Sequence, residues 1–134
     1  MKPFVLHLQD AMHDEHLDNV VSFVGQDTSG LFGILADHAR AMTMLVFGLS
    51  RFRMMDGTWQ FLAMPGGLLY FAENELSIVT RRYLRDQDYD RISLALDQQL
   101  VAEEAGLHIV KESLHRLEEE MFKRLWKLGR ESIP

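Results

Sequence analysis

Two histidines near the start of the chain have the residue type and spacing best suited to metal chemistry. His13 and His16 lie three residues apart, beside Asp10 and Asp14, so one turn of chain would gather imidazoles and carboxylates around an ion. No second ligand pair recurs at such spacing. We therefore predict no metal and interpret these residues as solvated. A small metal- or ligand-binding enzyme built on a β-sandwich stays open as an alternative.

Two glycine-rich segments invite comparison with phosphate-binding loops. Residues 30–33 and 65–67 lack the following Lys-Ser/Thr pair and the strand-to-helix context that such a loop requires. The sequence also has no Gly-x-Ser-x-Gly elbow, and a hydroxyl nucleophile without a positioned base is inert. We predict that the chain is not an enzyme and needs no cofactor.

The composition narrows the class of protein. The 134 residues are 47% hydrophobic and 25% charged, which is ordinary for a folded globular chain. A net charge of −6 argues against a nucleic-acid partner, since binding phosphates requires a basic face. Cysteine is absent, so stability must come from packing. No apolar run approaches the roughly 20 residues that span a bilayer, so membrane association is expected only through partners.

The first part of the chain has the pattern of a β-sheet protein. Glycines interrupt short runs that are rich in β-branched, aromatic and large apolar residues, which favours strands separated by turns. Asp56-Gly57 is a dipeptide that tolerates the positive φ of a tight hairpin turn. The clearest strand candidates are residues 20–24, 43–47, 59–63 and 76–80.

The part after Asp88 is predicted to be helical, because turn residues almost vanish there. Apolar residues recur at three- and four-residue steps and form one seam along a helix: Leu107, Val110, Leu114, Leu117, Met121, Leu125 and Leu128. We predict a hairpin of two helices that meet near Ala105-Gly106. One continuous helix of about 40 residues and a homodimer joined through the Leu107–Leu128 seam stay open.

Charge is sorted along the last helix. Three glutamates, residues 118–120, precede a basic end formed by Lys123, Arg124, Lys127 and Arg130. This order complements the helix dipole and is typical of a solvated surface helix. The alternative and more specific interpretation is that this basic end of the helix binds an acidic partner.

The order of motifs resembles the epsilon subunit of F-type ATP synthases over nearly the whole chain. Residues 30–39, GLFGILADHA, followed by Leu45 and Gly48, look like that family's Gly-x-x-Gly-Ile/Leu-x-Pro-x-His segment, with Ala36 in the proline position. Residues 61–69, FLAMPGGLL, are similar to its strand-Gly-Gly-strand element. Residues 78–82 and 85–88 are similar to its sheet-to-helix junction. Residues 80–82 and the ending at residues 117–128 look closer still to the epsilon subunits of the alternate, N-type branch.

The resemblance implies a β plus α fold: an N-terminal β-sandwich of about ten strands in residues 1–86, then an α-helical hairpin in residues 87–134. It implies a non-catalytic central-stalk subunit at the cytoplasmic face of the membrane, bound to the gamma subunit and the membrane rotor ring. The C-terminal helix would meet the catalytic head and restrain ATP hydrolysis. The residues expected to contact partners are Gln26, Thr28, Ser29, Leu31, Phe32, His38, Lys123, Arg124, Lys127 and Arg130.

Some members of that family carry a regulatory nucleotide motif, Ile/Leu-Asp-x-x-Arg-Ala. This chain matches it only at Asp88 and Arg91, because Gln87 and Ile92 occupy the flanking positions. Arg91 would contact phosphate and Asp88 would orient it. An acid followed by a base is also an ordinary helix start, and we favour that interpretation over an ATP site.

Overall fold

The structure, a computed structural model, describes residues 1–131 and the side chains as far as residue 129. Nine strands occupy the first 86 residues, against the ten or so expected. They are β1 (Phe4–Gln9), β2 (Asp14–Asp27), β3 (Gly30–Ile34), β4 (Ala41–Leu45), β5 (Gly48–Met54), β6 (Trp59–Met64), β7 (Gly67–Ala72), β8 (Glu75–Val79) and β9 (Leu84–Asp86). Each of the four strand candidates overlaps one of these elements, although residues 46–47 lie beyond the end of β4 and residue 80 lies beyond the end of β8.

The long strand β2 joins the two layers of the sandwich. Its first half pairs with β1, and its second half pairs with β3 on one edge and with β5 on the other. The β2–β5 register shifts between Val20 and Ser22, as it does at a β-bulge. One layer, sheet 1, therefore has the order β4-β7-β8-β1-β2, and the other, sheet 2, contains β3, the end of β2, β5, β6 and β9.

The core between the layers follows from strand alternation. On β1, Phe4, Leu6 and Leu8 are buried, and their intervening neighbours point to the other face. The ring of Phe4 meets that of Phe71 on β7 edge-on, at 5.7 Å between centroids. Aromatic and aliphatic side chains from both layers thus supply the burial that holds this cysteine-free domain together.

Two tight turns have the residues that their geometry requires. Gly57, after Asp56, has φ of +91° between β5 and β6, which confirms the predicted hairpin. Between β7 and β8, Glu73 and Asn74 have φ values of 52° and 58°. Two successive positive φ values give a turn whose twist matches the flanking strands.

The first helical residues pack on sheet 2. Strand β6 turns Leu62 into the main core and Ala63 to the opposite face, where Ala63 meets Ile92 and Leu100 in a second buried cluster. Ile92 belongs to α1 (Tyr89–Ala95), and Leu100 belongs to the π-helical turn that follows. The residues from Met1 to Val101 consequently form one compact unit.

The predicted helical hairpin is wrong. Between Tyr89 and Glu131 every residue is helical: α1, a π-helical turn at Leu96–Leu100, and α2 (Val101–Glu131). Gly106, which we expected to mark a turn, lies inside α2 and has no neighbour that an added Cβ would meet within 4 Å. A single glycine lowers helix stability by only about 1 kcal/mol relative to alanine. The helix-forming residues on both sides of Gly106 offset this cost, so the helix continues through it.

Of the described residues, those from 102 to 131 belong to the second unit. Along α2 the apolar seam is exposed, from Leu107 at 38% to Leu128 at 62%. Within residues 1–131, no helix combines the length and apolar character that crossing a bilayer requires.

Candidate partner-binding surfaces

The outward side of sheet 1 carries a patch of large apolar side chains. Cross-strand pairing places Met42 opposite Tyr70, and Met44 opposite Leu68, which in turn lies opposite Val79. Residues paired in register share a face, so these five side chains form one continuous surface. We name it the apolar face: Met42, Met44, Leu68, Tyr70 and Val79.

The apolar face is exposed within its own compact unit. Met42 is 65% exposed and Met44 is 60% exposed, whereas the neighbouring Leu69 and Ile78 are fully buried on the inward side. Sheet 2 differs, because α1 and the π turn cover part of its outward side. A contiguous exposed apolar patch on a folded domain is typical of an interaction site.

The turn between β2 and β3 is held by Asp27, a residue that the sequence did not single out. Its carboxylate accepts hydrogen bonds from the Ser29 amide at 2.9 Å and from the Thr43 hydroxyl at 2.8 Å. The bonds from Ser29 and Thr43 lower the pKa of Asp27. The turn that presents Gln26, Thr28 and Ser29 to solvent is thereby fixed to β4.

The remaining β-domain residues predicted to contact partners do not lie on one surface. Leu31 is 77% exposed and lines a groove of about 420 Å³ with Leu49, Phe61 and Tyr89. Phe32, its neighbour, turns the opposite way and packs against the main core beside Phe23. Strand alternation therefore separates Leu31 from Phe32.

His38 lies in the loop between β3 and β4. It lines a cleft of about 300 Å³ together with Asp27, Phe32 and Thr43, so the structure does bring His38 close to the β2–β3 turn. The loop is tied to the β7–β8 turn, because the Asp37 amide donates to Asn74 Oδ1 at 2.6 Å. Asp37 has φ of 66°, a left-handed conformation that aspartate tolerates.

The structure does not bring together His13 and His16, the two histidines of the metal-binding alternative. His13 belongs to the β1–β2 turn, where its ring Nδ1 lies 3.1 Å from Asp10 Oδ1. His16 lies on β2, stacked on His7 of β1 with 4.1 Å between ring centroids. The metal-binding alternative required one turn of chain to gather both imidazoles, but an antiparallel hairpin pairs residues across strands.

Asp10 is a structural carboxylate. Its side chain is 1% exposed and accepts bonds from the amides of Met12, His13 and Tyr83 at 2.8, 2.6 and 3.1 Å. Burial raises its pKa, but these hydrogen bonds outweigh burial and leave the pKa below its ordinary value.

Asp88 and Arg91 have the geometry of a helix start. Asp88 is the N-cap of α1, and its carboxylate accepts the Arg91 amide at 3.2 Å. The Arg91 guanidinium binds both oxygens of Asp86, at 2.5 and 2.7 Å. That pairing lowers the pKa of Asp86 and raises that of Arg91. A nucleotide phosphate would have to displace Asp86 from Arg91.

The basic end of α2 is solvated. Lys123, Arg124 and Lys127 are exposed, and the side chain of Arg130 lies outside the described residues. Two aromatic residues one turn apart, Phe122 and Trp126, are 76% and 69% exposed among these bases. Exposed aromatics beside bases form an amphipathic surface suited to a protein partner.

The fold and these surfaces define a class of protein: a two-layer β-sandwich followed by a long helix, with exposed apolar side chains on both. Residues 9–86 match the family described as ATP synthase, Delta/Epsilon chain, beta-sandwich domain. The chain belongs to this family.

Curated relatives agree with the assignment. The chain is 31% identical over 86 residues to ATP synthase epsilon chain 2 of Cereibacter sphaeroides, which covers 63% of this chain and 59% of the relative. It is 36% identical over 62 residues to the chloroplastic ATP synthase epsilon chain of Spinacia oleracea, with 46% of each chain covered. The chain thus spans about half to three-fifths of these relatives.

Two solved structures share the fold. A chain in the mitochondrial ATP synthase of Euglena gracilis, in a structure of its OSCP/F1/c-ring, superposes with a TM-score of 0.59 at 18% identity, covering 72% of this chain and 62% of that one. A chain in the central stalk/c-ring of the Tetrahymena thermophila mitochondrial enzyme gives a TM-score of 0.53 at 13% identity, covering 62% and 66%.

Proposed function

We propose that this chain is the epsilon-type subunit of an F-type ATP synthase, a non-catalytic part of the central stalk. Its family membership and the names of its curated relatives support this role. The subunit would couple rotation of the membrane rotor ring to the catalytic head from the cytoplasmic face of the membrane. Coupling requires an interface that resists slipping and no bond chemistry.

The observation that carries the proposal is the apolar face of sheet 1. A partner that covers Met42, Met44 and Leu68 removes apolar area from water at about 25 cal/mol per Å². Stable interfaces bury about 800 Å² on each partner, so the apolar face would be the centre of a larger contact. We assign the gamma subunit to this surface.

The rotor ring would contact the end of the sandwich that carries the β2–β3 turn. Gln26, Thr28 and Ser29 are exposed there, and His38 lies on the adjoining cleft. Asp27 fixes this turn to β4, which would let torque pass from the turn into sheet 1. Leu31 would contact the rotor ring from the sheet 2 side. Phe32 instead packs against the main core beneath the turn.

The C-terminal helix would act on the catalytic head. Its apolar seam is exposed along α2, and its basic end complements an acidic surface. Restraint of ATP hydrolysis through this helix is part of the proposal, and so is the division of the chain into a partner-binding domain, residues 1–86, and a regulatory domain, residues 87–134.

Co-purification with a cognate gamma subunit and rotor ring tests the central assignment. We expect the full chain to bind gamma, and we expect Met44→Glu together with Leu68→Glu to abolish binding, because two charges would be buried without partners. Met12→Glu is the matched control: Met12 is 85% exposed in the β1–β2 turn and outside the apolar face. It should bind as the unchanged chain does.

Two outcomes would contradict the proposal. Gamma binding that survives the double substitution, in a protein with unchanged circular dichroism, would remove the apolar face from the interface. A concentration-dependent homodimer through the Leu107–Leu128 seam, with no affinity for gamma or the ring, would favour the scaffold alternative.

A further inference from the structure

Three potential metal ligands converge on the outward side of sheet 1. His7 Nε2 lies 2.5 Å from Asp14 Oδ1, and His16 stacks on His7 with 14° between the ring planes. One ligand atom from each of the three residues lies within 4.8 Å of the others. The three side chains therefore present two nitrogens and one oxygen around a common point.

The hairpin of β1 and β2 creates this convergence. His7 is the register partner of His16, and Gln9 is the partner of Asp14, so Asp14 is a diagonal neighbour of His7. Opposite and diagonal residues on one face are close enough for side chains to interact. His7 is held by packing, with 21% of its side chain exposed, whereas the Asp14 side chain is 63% exposed and can open to admit an ion.

We propose that His7, Asp14 and His16 bind a divalent transition-metal ion such as Zn²⁺. Two imidazoles and a carboxylate are a ligand set that Zn²⁺ accepts, with water in the remaining position. Imidazole nitrogen disfavours Mg²⁺ and Ca²⁺, which prefer oxygen ligands. A chain with a net charge of −6 also attracts cations.

The site lies in the same transverse row as part of the apolar face. Met42 is paired with Tyr70, Tyr70 with Ser77, Ser77 with His7, and His7 with His16. A bound ion would cross-link β1 to β2 and change the charge at one end of that row. The metal site does not depend on the assignment of gamma to the apolar face.

Calorimetric titration of the chelator-treated full chain with Zn²⁺ tests the site. We expect one ion per chain, and we expect His7→Gln and His16→Gln each to weaken binding by about tenfold or more, since losing even an outer-shell partner of a metal ligand costs about 10–100-fold in metal affinity. His13→Gln is the matched control, since His13 contacts Asp10 instead. His108→Gln with His115→Gln controls for weak binding on α2, where each histidine pairs with a glutamate.

Cobalt substitution provides a second readout, because Co²⁺ bound by nitrogen and oxygen has a visible spectrum that should disappear in His16→Gln. If His7→Gln does not fold, His16→Gln and Asp14→Asn test the site instead, because His16 and Asp14 are exposed and their replacement should leave the fold intact. Equal Zn²⁺ affinity in the unchanged chain, His16→Gln and Asp14→Asn would overturn the proposal. So would loss of binding in His13→Gln or in the α2 double variant.

Discussion

The carboxylate of Asp10 accepts the backbone N–H of Tyr83 at 3.1 Å, across 73 residues of sequence. This bond ties the β1–β2 turn to the segment that leads from β8 into β9. The Tyr83 hydroxyl in turn donates to Glu15 on β2 at 2.5 Å. Polar bonds thus hold the connection between the two layers against the β1–β2 hairpin, in addition to the contacts of the apolar core.

Replacing Asp10 should destabilise the domain. Asp10→Ala removes the acceptor of three backbone amides. One of them belongs to the buried residue Tyr83, and an unsatisfied buried donor costs about 1–3 kcal/mol. We expect a lower midpoint in urea with an unchanged slope. Asp56→Ala is the matched control, because Asp56 caps an exposed turn through the Thr58 amide. Equal midpoints for the two variants would contradict the role assigned to Asp10.

The effect of Asp10 should depend on pH. Its pKa is lower in the folded chain than in the unfolded chain, so its ionised form stabilises the fold above the unfolded pKa of about 3.9. That contribution is lost as the pH falls through the folded pKa. Urea unfolding from pH 7 to pH 2 should show the difference between the unchanged chain and Asp10→Ala shrinking below about pH 4. A constant difference would argue against ionised Asp10.

Truncation should show where the sandwich domain ends. We expect residues 1–86 to fold with strand-type circular dichroism, because the main core lies within them. Residues 1–101 should melt at a higher temperature, since they retain buried Ile92 and Leu100, each worth about 1.5–3 kcal/mol. Aggregation of 1–86 beside a folded 1–101 would move the boundary past α1.

Two glycines should respond oppositely to alanine. A Cβ on Gly67 would lie 2.8 Å from the Val79 carbonyl oxygen, which the paired strand cannot move away, so Gly67→Ala should cost about 1–3 kcal/mol. Gly106 lies inside α2 with open space around it, and Gly106→Ala should raise helix stability by about 0.5–1 kcal/mol. Thermal unfolding measures both. A stabilising Gly67→Ala would show that β7 and β8 are less closely paired.

The proposed regulatory role of the C-terminal helix predicts a gain of activity. Deleting residues 107–134 should raise ATP hydrolysis severalfold in the assembled complex, while gamma binding persists. Changing Lys123, Arg124, Lys127 and Arg130 to Gln should give part of that effect, because attraction to an acidic surface is lost. Lys111→Gln with Arg116→Gln controls for charge on the same helix. If the complex with the deletion hydrolyses ATP at the same rate as the complex with the full chain, the helix has only a structural role.

The sequence by itself determined most of the secondary structure. Short apolar runs separated by glycines indicated strands, and Asp56-Gly57 located a hairpin, because strand period and turn chemistry are local properties. The apolar seam indicated the helical end for the same reason. These local signals, together with the motif resemblance, were sufficient to identify the family, and the match of the family to residues 9–86 confirmed it.

Only the tertiary structure decided which distant residues meet. Gly106 was a reasonable turn signal, yet the helix continues through it, since one weak residue cannot interrupt a long run of helix formers. Spacing along the chain offered His13 as the neighbour of His16 only as an alternative, whereas the register of β1 and β2 places His7 beside His16. The apolar face could not be predicted from the sequence either, because its five residues come from three strands that become neighbours only in sheet 1. Strand order and register are set by packing between the layers, so they cannot be predicted from a local sequence pattern.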